Sequence, residues 1–222
     1  MFALSFVTLA AASVARAATY SVSDTFIGSS FLNGFTHEAI ADPTHGRVNY
    51  VDQTTAQRLN LTYASGNTFV LRSDYTATLN PSGAGRNSVR IQSKKQWSTH
   101  VEILDVRHMP QGCGSWPAYW TTNTANWPAA GEIDIIEGVN DQAPNAATLH
   151  TTAGCTQPFT PRPPPPTATG KSTATRDAVS KTPSPTRTAH HSTPTVEDDY
   201  VNNNPAAFKN AYWDIAALRV YQ

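Results

Sequence analysis

The chain has 222 residues, with 16 basic and 16 acidic side chains and a formal net charge of zero. That length suits one domain of ordinary size, and the lack of a basic field argues against nucleic acid or anionic lipid as a partner. Only 14% of residues are charged; neutral polar residues, proline and glycine fill the difference, which suits an all-β extracellular domain.

Residues 1–17, MFALSFVTLAAASVARA, read as a secretory signal peptide. An apolar run from Phe2 to Val14 leads into Ala15-Arg16-Ala17, a small-x-small cleavage site. The run is too short to cross a membrane, and no later apolar stretch reaches about 18 residues. A mature chain is expected to start near Ala18. The first domain is expected over 18–155.

From Thr19 to Cys155 short strands alternate with turns. Strands are expected over 46–51, 68–72, 88–92, 99–106, 132–137 and 146–150. Breakers such as Asn80-Pro81-Ser82-Gly83 and the stretch 141–145 punctuate them. No long helical period is present. Such spacing suggests a β-sandwich or jelly roll. Asn60-Leu61-Thr62 is a glycosylation sequon that a secreted chain would use. Arg90, in Ser88-Val89-Arg90-Ile91, points either into a cleft or into solvent.

The stretch 131–137 reads Gly-Glu-Ile-Asp-Ile-Ile-Glu. Side chains alternate along a strand, so Glu132 and Asp134 share a face and Glu137 falls on the other. A β-bulge at Ile135 or Ile136 returns Glu137 to the face of the first two. Three like charges on one face destabilise a strand, so the cluster needs a compensating reason. Two carboxylates facing a cleft suit glycoside hydrolysis, one attacking the sugar carbon and one protonating the leaving oxygen. Crowding by Asp134 favours keeping one proton, which a general acid needs. The other readings are a solvated acidic strand and a hard-metal site for calcium or magnesium.

Trp116, Trp120 and Trp127 precede this strand, with Tyr119 and Trp97 adding to them. Flat aromatics either stack on the apolar faces of pyranose rings or fill the core. At least one of the three tryptophans is expected to line a groove. His150 ends the next strand, and by itself reads as a hydrogen-bonded edge histidine. The two cysteines allow one pairing. A Cys113–Cys155 disulfide is expected, because both flank strands adjoining the acidic one.

Residues 156–195 change character: nine are Pro and 15 are Ser or Thr. Such a segment does not bury enough surface to offset its ordering entropy, so 156–197 is expected to be disordered. The remaining residues, 198–222, are too few for a core of their own. Residues 211–221 read as a final strand of the first domain.

The string Thr36-His37-Glu38-Ala39-Ile40-Ala41-Asp42-Pro43-Thr44-His45-Gly46-Arg47-Val48-Asn49-Tyr50 resembles the N-terminal region of fungal laminarinases of glycoside hydrolase family 16. So does Arg107-His108-Met109-Pro110-Gln111-Gly112-Cys113-Gly114-Ser115-Trp116-Pro117-Ala118, and the acidic strand fits the family's Glu-x-Asp-x-x-Glu signature. The resemblance covers about 19–155 and returns near 198–222. It implies an all-β, concanavalin A-like jelly-roll sandwich with a concave substrate-binding sheet. It implies a secreted, retaining endo-β-1,3(4)-glucanase, with Glu132 as nucleophile, Glu137 as acid/base and Asp134 holding the nucleophile. Trp116, Trp120, Trp127, His150 and Arg90 would bind β-glucan. It implies no metal and no organic cofactor, and a monomer.

One departure bears on activity. Where the family carries further strands after Cys155, this chain has the proline-rich stretch, so the jelly roll is expected to be incomplete and to expose sheet edges and apolar surface. The alternative reading is therefore a truncated, catalytically weak or inactive glucan-binding remnant. A metal-dependent hydrolase is a distant third, since no histidine lies near the acids in sequence.

Overall fold

A computed structural model describes residues 19–155 and 196–222. The expected signal peptide and the stretch 156–195 lie outside the described residues. Twelve strands form among those described: β1 (Val22–Phe26), β2 (Phe35–His37), β3 (Val48–Tyr50), β4 (Thr62–Ser65), β5 (Thr68–Arg72), β6 (Arg86–Ser88), β7 (Ile91–Ser93), β8 (Val101–His108), β9 (Ala118–Thr122), β10 (Glu132–Glu137), β11 (Ala146–His150) and β12 (Tyr212–Tyr221). Three short helices accompany them, α1 (Ser30–Gly34), α2 (Gln53–Arg58) and α3 (Val196–Asn203). Asp52 caps α2 by accepting the Thr55 N–H. Helix α3 opens the described C-terminal segment at Val196.

The last strand is the centre of the larger sheet. β12 pairs with β8 along one side; along the other it pairs first with β5 and then with β1. β4 completes this five-stranded sheet. The reason lies in the side chains: Ile215, Ala217, Leu218 and Val220 are all buried. Ile215 and Leu218 share one core with Phe69 and Leu71, the inward residues of β5. Phe31 and Phe35 close the core from α1 and β2, with the Phe31 and Phe69 rings stacked 4.4 Å apart. Complete burial of a side chain the size of Phe69 stabilises the fold by about 1.5–3 kcal/mol. Residues 211–221 thus complete a core begun more than a hundred residues earlier.

The expected strand over 88–92 is broken in two. β6 runs parallel to β3, whereas β7 runs antiparallel to β2. Between them Val89 turns inward against the core and the chain changes partner. Period-two alternation alone does not reveal such a switch, because both halves continue the same pattern.

The smaller sheet has the order β11-β10-β9. Tyr119 of β9 packs its ring against the main core, so this sheet is anchored along one side. Farther out the same back face is open: Ile133 is 50% exposed and Leu149, its partner across the ladder, 46%. Among the described residues no strand pairs with the outer edge of β11.

The C-terminal helix is tied down by a buried arginine. Arg86 donates to the carbonyls of Val201, Asp74 and Ala77. Its guanidinium also lies over the ring of Phe208. Arg47 adds bonds to Asn202 Oδ1 and to the carbonyls of Asn80 and Gly83.

Candidate active site

Strand β10 carries the site. Its register shifts against both neighbours: the four residues from Asp134 to Glu137 face three on β11, and the three from Asp134 to Ile136 face two on β9. One extra residue therefore sits at Ile135–Ile136. That bulge brings Glu137 round toward the face of Glu132 and Asp134, while Ile133 and Ile135 stay exposed on the back. Paired residues share a face, so the strand neighbours of each acid form its surroundings. Glu132 lies between Thr122 and His150, Asp134 between Trp120 and Thr148, and Glu137 between Ala118 and Ala146. Two alanines beside Glu137 leave space. A recess of about 240 Å³ opens on the Ala146 side of Glu137, lined also by Gly138, Val139, Gln142, Ala143 and Pro144.

Each outer carboxylate is held by an indole. Trp127 Nε1 donates to Glu132 Oε2 at 2.8 Å, and Trp116 Nε1 donates to Glu137 Oε1 at 2.5 Å. The local chain explains both. Gly131 takes φ +87°, a left-handed value that a side chain would resist, and so turns the segment after Trp127 back into β10. Trp116 sits on a loop laced to the chain beyond β10: Gly138 N–H donates to the Pro117 carbonyl and Asn140 N–H to the Ser115 carbonyl. Both tryptophans remain about half exposed, 48% for Trp127 and 56% for Trp116. Their faces are available to a ligand.

Asp134 is only 4% exposed. His150 Nε2 lies 2.9 Å from its Oδ2 and 3.6 Å from Glu132 Oε1. A carboxylate only accepts, so the Nε2 carries the proton toward Asp134. Burial, then the Asp134 charge, push the Glu132 carboxyl above its usual range; His150, the Trp127 N–H and Arg90 pull it down. The Glu137 carboxyl is also raised, first by burial and further by Asp134, against the Trp116 N–H and His150. Two partly desolvated carboxyls on one strand, both raised and each with its own donor, are equipped to hold and release protons.

Glu132, Asp134 and His150 also bring one ligand atom each within 4.8 Å of one another. That would suffice for a divalent cation only if His150 gave up its bond to Asp134. Sequence distance concealed this histidine; the ladder places it directly across from Glu132.

The other residues singled out in the sequence divide. Arg90 lies 4.9 Å over the Trp120 ring and bonds Glu38 at 2.7 Å. One face of Trp120 is therefore already covered, unlike those of Trp116, while Trp127 has the tilted His150 ring 6.1 Å away. Trp97 is elsewhere, with its N–H on Asp24 and its ring against Phe26, and Tyr119 serves the core. Asn60 is exposed in a left-handed turn at φ 55°, but Leu61 and Thr62 of its sequon are buried. The expected disulfide is absent: Cys113 and Cys155 are both free and exposed. Cys113 precedes β9, whose start pairs with the Glu137 end of β10, and Cys155 follows β11, whose end pairs with the Glu132 end. The strands they flank therefore finish at opposite ends of the sheet, whereas a disulfide needs Cα atoms within about 7 Å. Glu38, the partner of Arg90, was not singled out in the sequence. It lies in the N-terminal string that carries the resemblance, but its partner Arg90 is distant in sequence and no local pattern joins them.

The profile of the XgeA-like, catalytic GH16 domain matches residues 35–184. A probable endo-1,3(4)-beta-glucanase of Aspergillus fumigatus is 43% identical over 153 residues, covering 68% of this chain and 23% of that protein. An endo-1,3(4)-beta-glucanase of Arthroderma benhamiae is 43% identical over 142 residues, covering 64% of this chain and 30% of that protein. The chain thus spans about a quarter to a third of these relatives. Among solved structures, GH16 laminarinase 16A from Phanerochaete chrysosporium, with two beta-glucans in donor and acceptor sites, superposes with a TM-score of 0.76 at 41% identity. That match covers 92% of this chain and 100% of the other. The sheets described above are those of a β-jelly roll.

Proposed function

The chain belongs to glycoside hydrolase family 16, and from that premise we propose that it is a secreted endo-β-1,3(4)-glucanase working by retaining double displacement. The observation that carries this reading is the bulge in β10, which turns Glu132, Asp134 and Glu137 toward one cleft, with an indole N–H on each outer acid. Glu132, ionised, attacks the anomeric carbon of a glucosyl ring. Glu137 gives its proton to the glycosidic oxygen as that bond breaks, and the cleaved chain leaves through the recess beside Ala146. Glu137 then takes a proton from water, which attacks the glycosyl–Glu132 ester and frees the second product. Asp134, held by His150, shares the face of the nucleophile and tunes its carboxyl.

Trp116 and Trp127 supply open aromatic faces for the sugar rings. The similar laminarinase, crystallised with beta-glucans, supports a β-glucan as the ligand. Secretion is supported by the leader-like 1–17 and by the sequon at Asn60. The assignment is tested by release of reducing sugars from laminarin in the presence of a chelator. Loss of that release in Glu132→Gln, and its rescue in Glu132→Ala by azide with formation of a glycosyl azide, would bear it out. A purified, folded chain that releases nothing would end the hydrolase reading.

A second reading, glucan binding with little turnover, is favoured by the open back of the catalytic sheet at Ile133 and Leu149. Catalysis requires the carboxyls to be held to within about 0.5 Å, and a sheet packed along only one side is less constrained. Laminarin that binds the chain but is not cleaved would select this reading.

A further inference from the structure

Glu38 follows β2 and Arg90 precedes β7. The β2–β7 ladder pairs Thr36 with Gln92 and His37 with Ile91, and a further rung extends it: the Glu38 N–H donates to the Arg90 carbonyl at 2.9 Å. Partners across a ladder share a face, and neighbours along a strand alternate. The side chains of Glu38 and Arg90 therefore emerge together, opposite the buried His37. They meet there: Arg90 Nε donates to Glu38 Oε2 at 2.7 Å. The guanidinium lies 4.9 Å from the centre of the Trp120 ring, and Trp120 stands across from Asp134 on the cleft face. The side chains are 24% and 21% exposed, so the pair is held but open to a ligand.

Guanidinium has five N–H donors in a fixed fork. Glu38 takes the Nε–H, and among the described residues no other side chain bonds to the Arg90 fork. The remaining donors lie beside Trp120, within electrostatic reach of Glu132. An arginine without Glu38 would have to find this orientation at each binding event and lose its side-chain freedom then.

We propose that Glu38 is a positioning residue that locks Arg90 against Trp120, so that the free Arg90 donors meet the hydroxyls of the glucan ring bound next to Arg90 and Glu132. The inference rests on the glucanase reading. The pair is neutral as a unit, which fits a neutral polysaccharide, and its rigid fork selects ring orientation.

A double-mutant cycle tests it. Binding of a laminari-oligosaccharide is titrated by tryptophan fluorescence on the chain and on Glu38→Ala, Arg90→Ala and the double variant, with Tm measured for each. Glu38→Ala is expected to weaken binding about tenfold, as loss of one well-placed charge-assisted bond would. Arg90→Ala should weaken it at least as much, and the double variant no more than Arg90→Ala alone. Glu38→Gln keeps the shape and an acceptor, and should recover part of the loss. If Glu38→Ala binds as the unsubstituted chain does, or if the two effects simply add, the inference fails while the glucanase reading stands. If the unsubstituted chain binds no glucan, the glucanase reading falls and takes the inference with it.

Discussion

His150 Nε2 stands 2.9 Å from Asp134 Oδ2, across the β10–β11 ladder. Asp134 is nearly buried, and among the described residues its side-chain hydrogen bond is to this imidazole. Removing the imidazole leaves a buried carboxyl without a partner. His150→Phe is expected to cost about 1–3 kcal/mol in urea denaturation and to lower kcat. His150→Gln, which retains a donor, should recover much of the stability. Equal stability of His150→Phe and the unsubstituted chain would show that the contact is incidental.

The two indoles should control different limbs of the pH profile. Each N–H draws its carboxyl downward, so Phe in its place lets that carboxyl rise. The nucleophile must be ionised and the acid protonated. Trp127→Phe should therefore shift the acidic limb of kcat/KM to higher pH, and Trp116→Phe the alkaline limb, also to higher pH. Movement of the opposite limb in either variant would reverse the roles of Glu132 and Glu137.

Stability and activity should trade off at Glu132. Its carboxyl is raised in the folded chain by burial and by Asp134. A raised carboxyl adds stability below its unfolded value, and that contribution is lost as pH rises through the folded value. Glu132→Gln removes the penalty of ionising there. Its Tm at pH 7 is expected to exceed that of the unsubstituted chain by about 2–4 °C, the equivalent of about 1 kcal/mol, while turnover falls at least a hundredfold. The two melting curves should converge as pH falls through the carboxylate range.

Both thiols should react with Ellman's reagent in the native chain, because both are free and exposed. Cys113→Ser and Cys155→Ser should each change stability by less than about 0.5 kcal/mol. Loss of a structural disulfide would instead cost about 2–5 kcal/mol.

Arg86 should matter far more than an ordinary polar residue. It joins three carbonyls and lies 3.8 Å from Asp74 Oδ2, with its side chain 3% exposed. Arg86→Met strips these groups of their shared donor and is expected to cost about 3–5 kcal/mol. Protease cleavage near 196–203 should accelerate in parallel if that donor is what holds α3 in place.

The acidic strand was legible because its information is local. Alternation puts Glu132 and Asp134 on one face, and the two isoleucines at 135 and 136 mark where an extra residue must be absorbed. Likewise 68–72 reads as a strand from the spacing of Phe69 and Leu71, since burial imposes a period on the sequence itself. β1, β2, β4 and β9 were not among the strands expected, because their burial follows from neighbours rather than from their own pattern.

By itself, then, the sequence determined which residues could do chemistry: three acids at a bulged spacing, tryptophans before them, and strings similar to one family. The tertiary structure alone decided which groups meet. It set His150 on Asp134, an indole on each glutamate, and Glu38 on Arg90, and it kept Cys113 from Cys155. Those outcomes depend on ladder register, which relates residues far apart in the chain and is settled by the packing of whole strands. A residue's own neighbours in sequence carry no record of it.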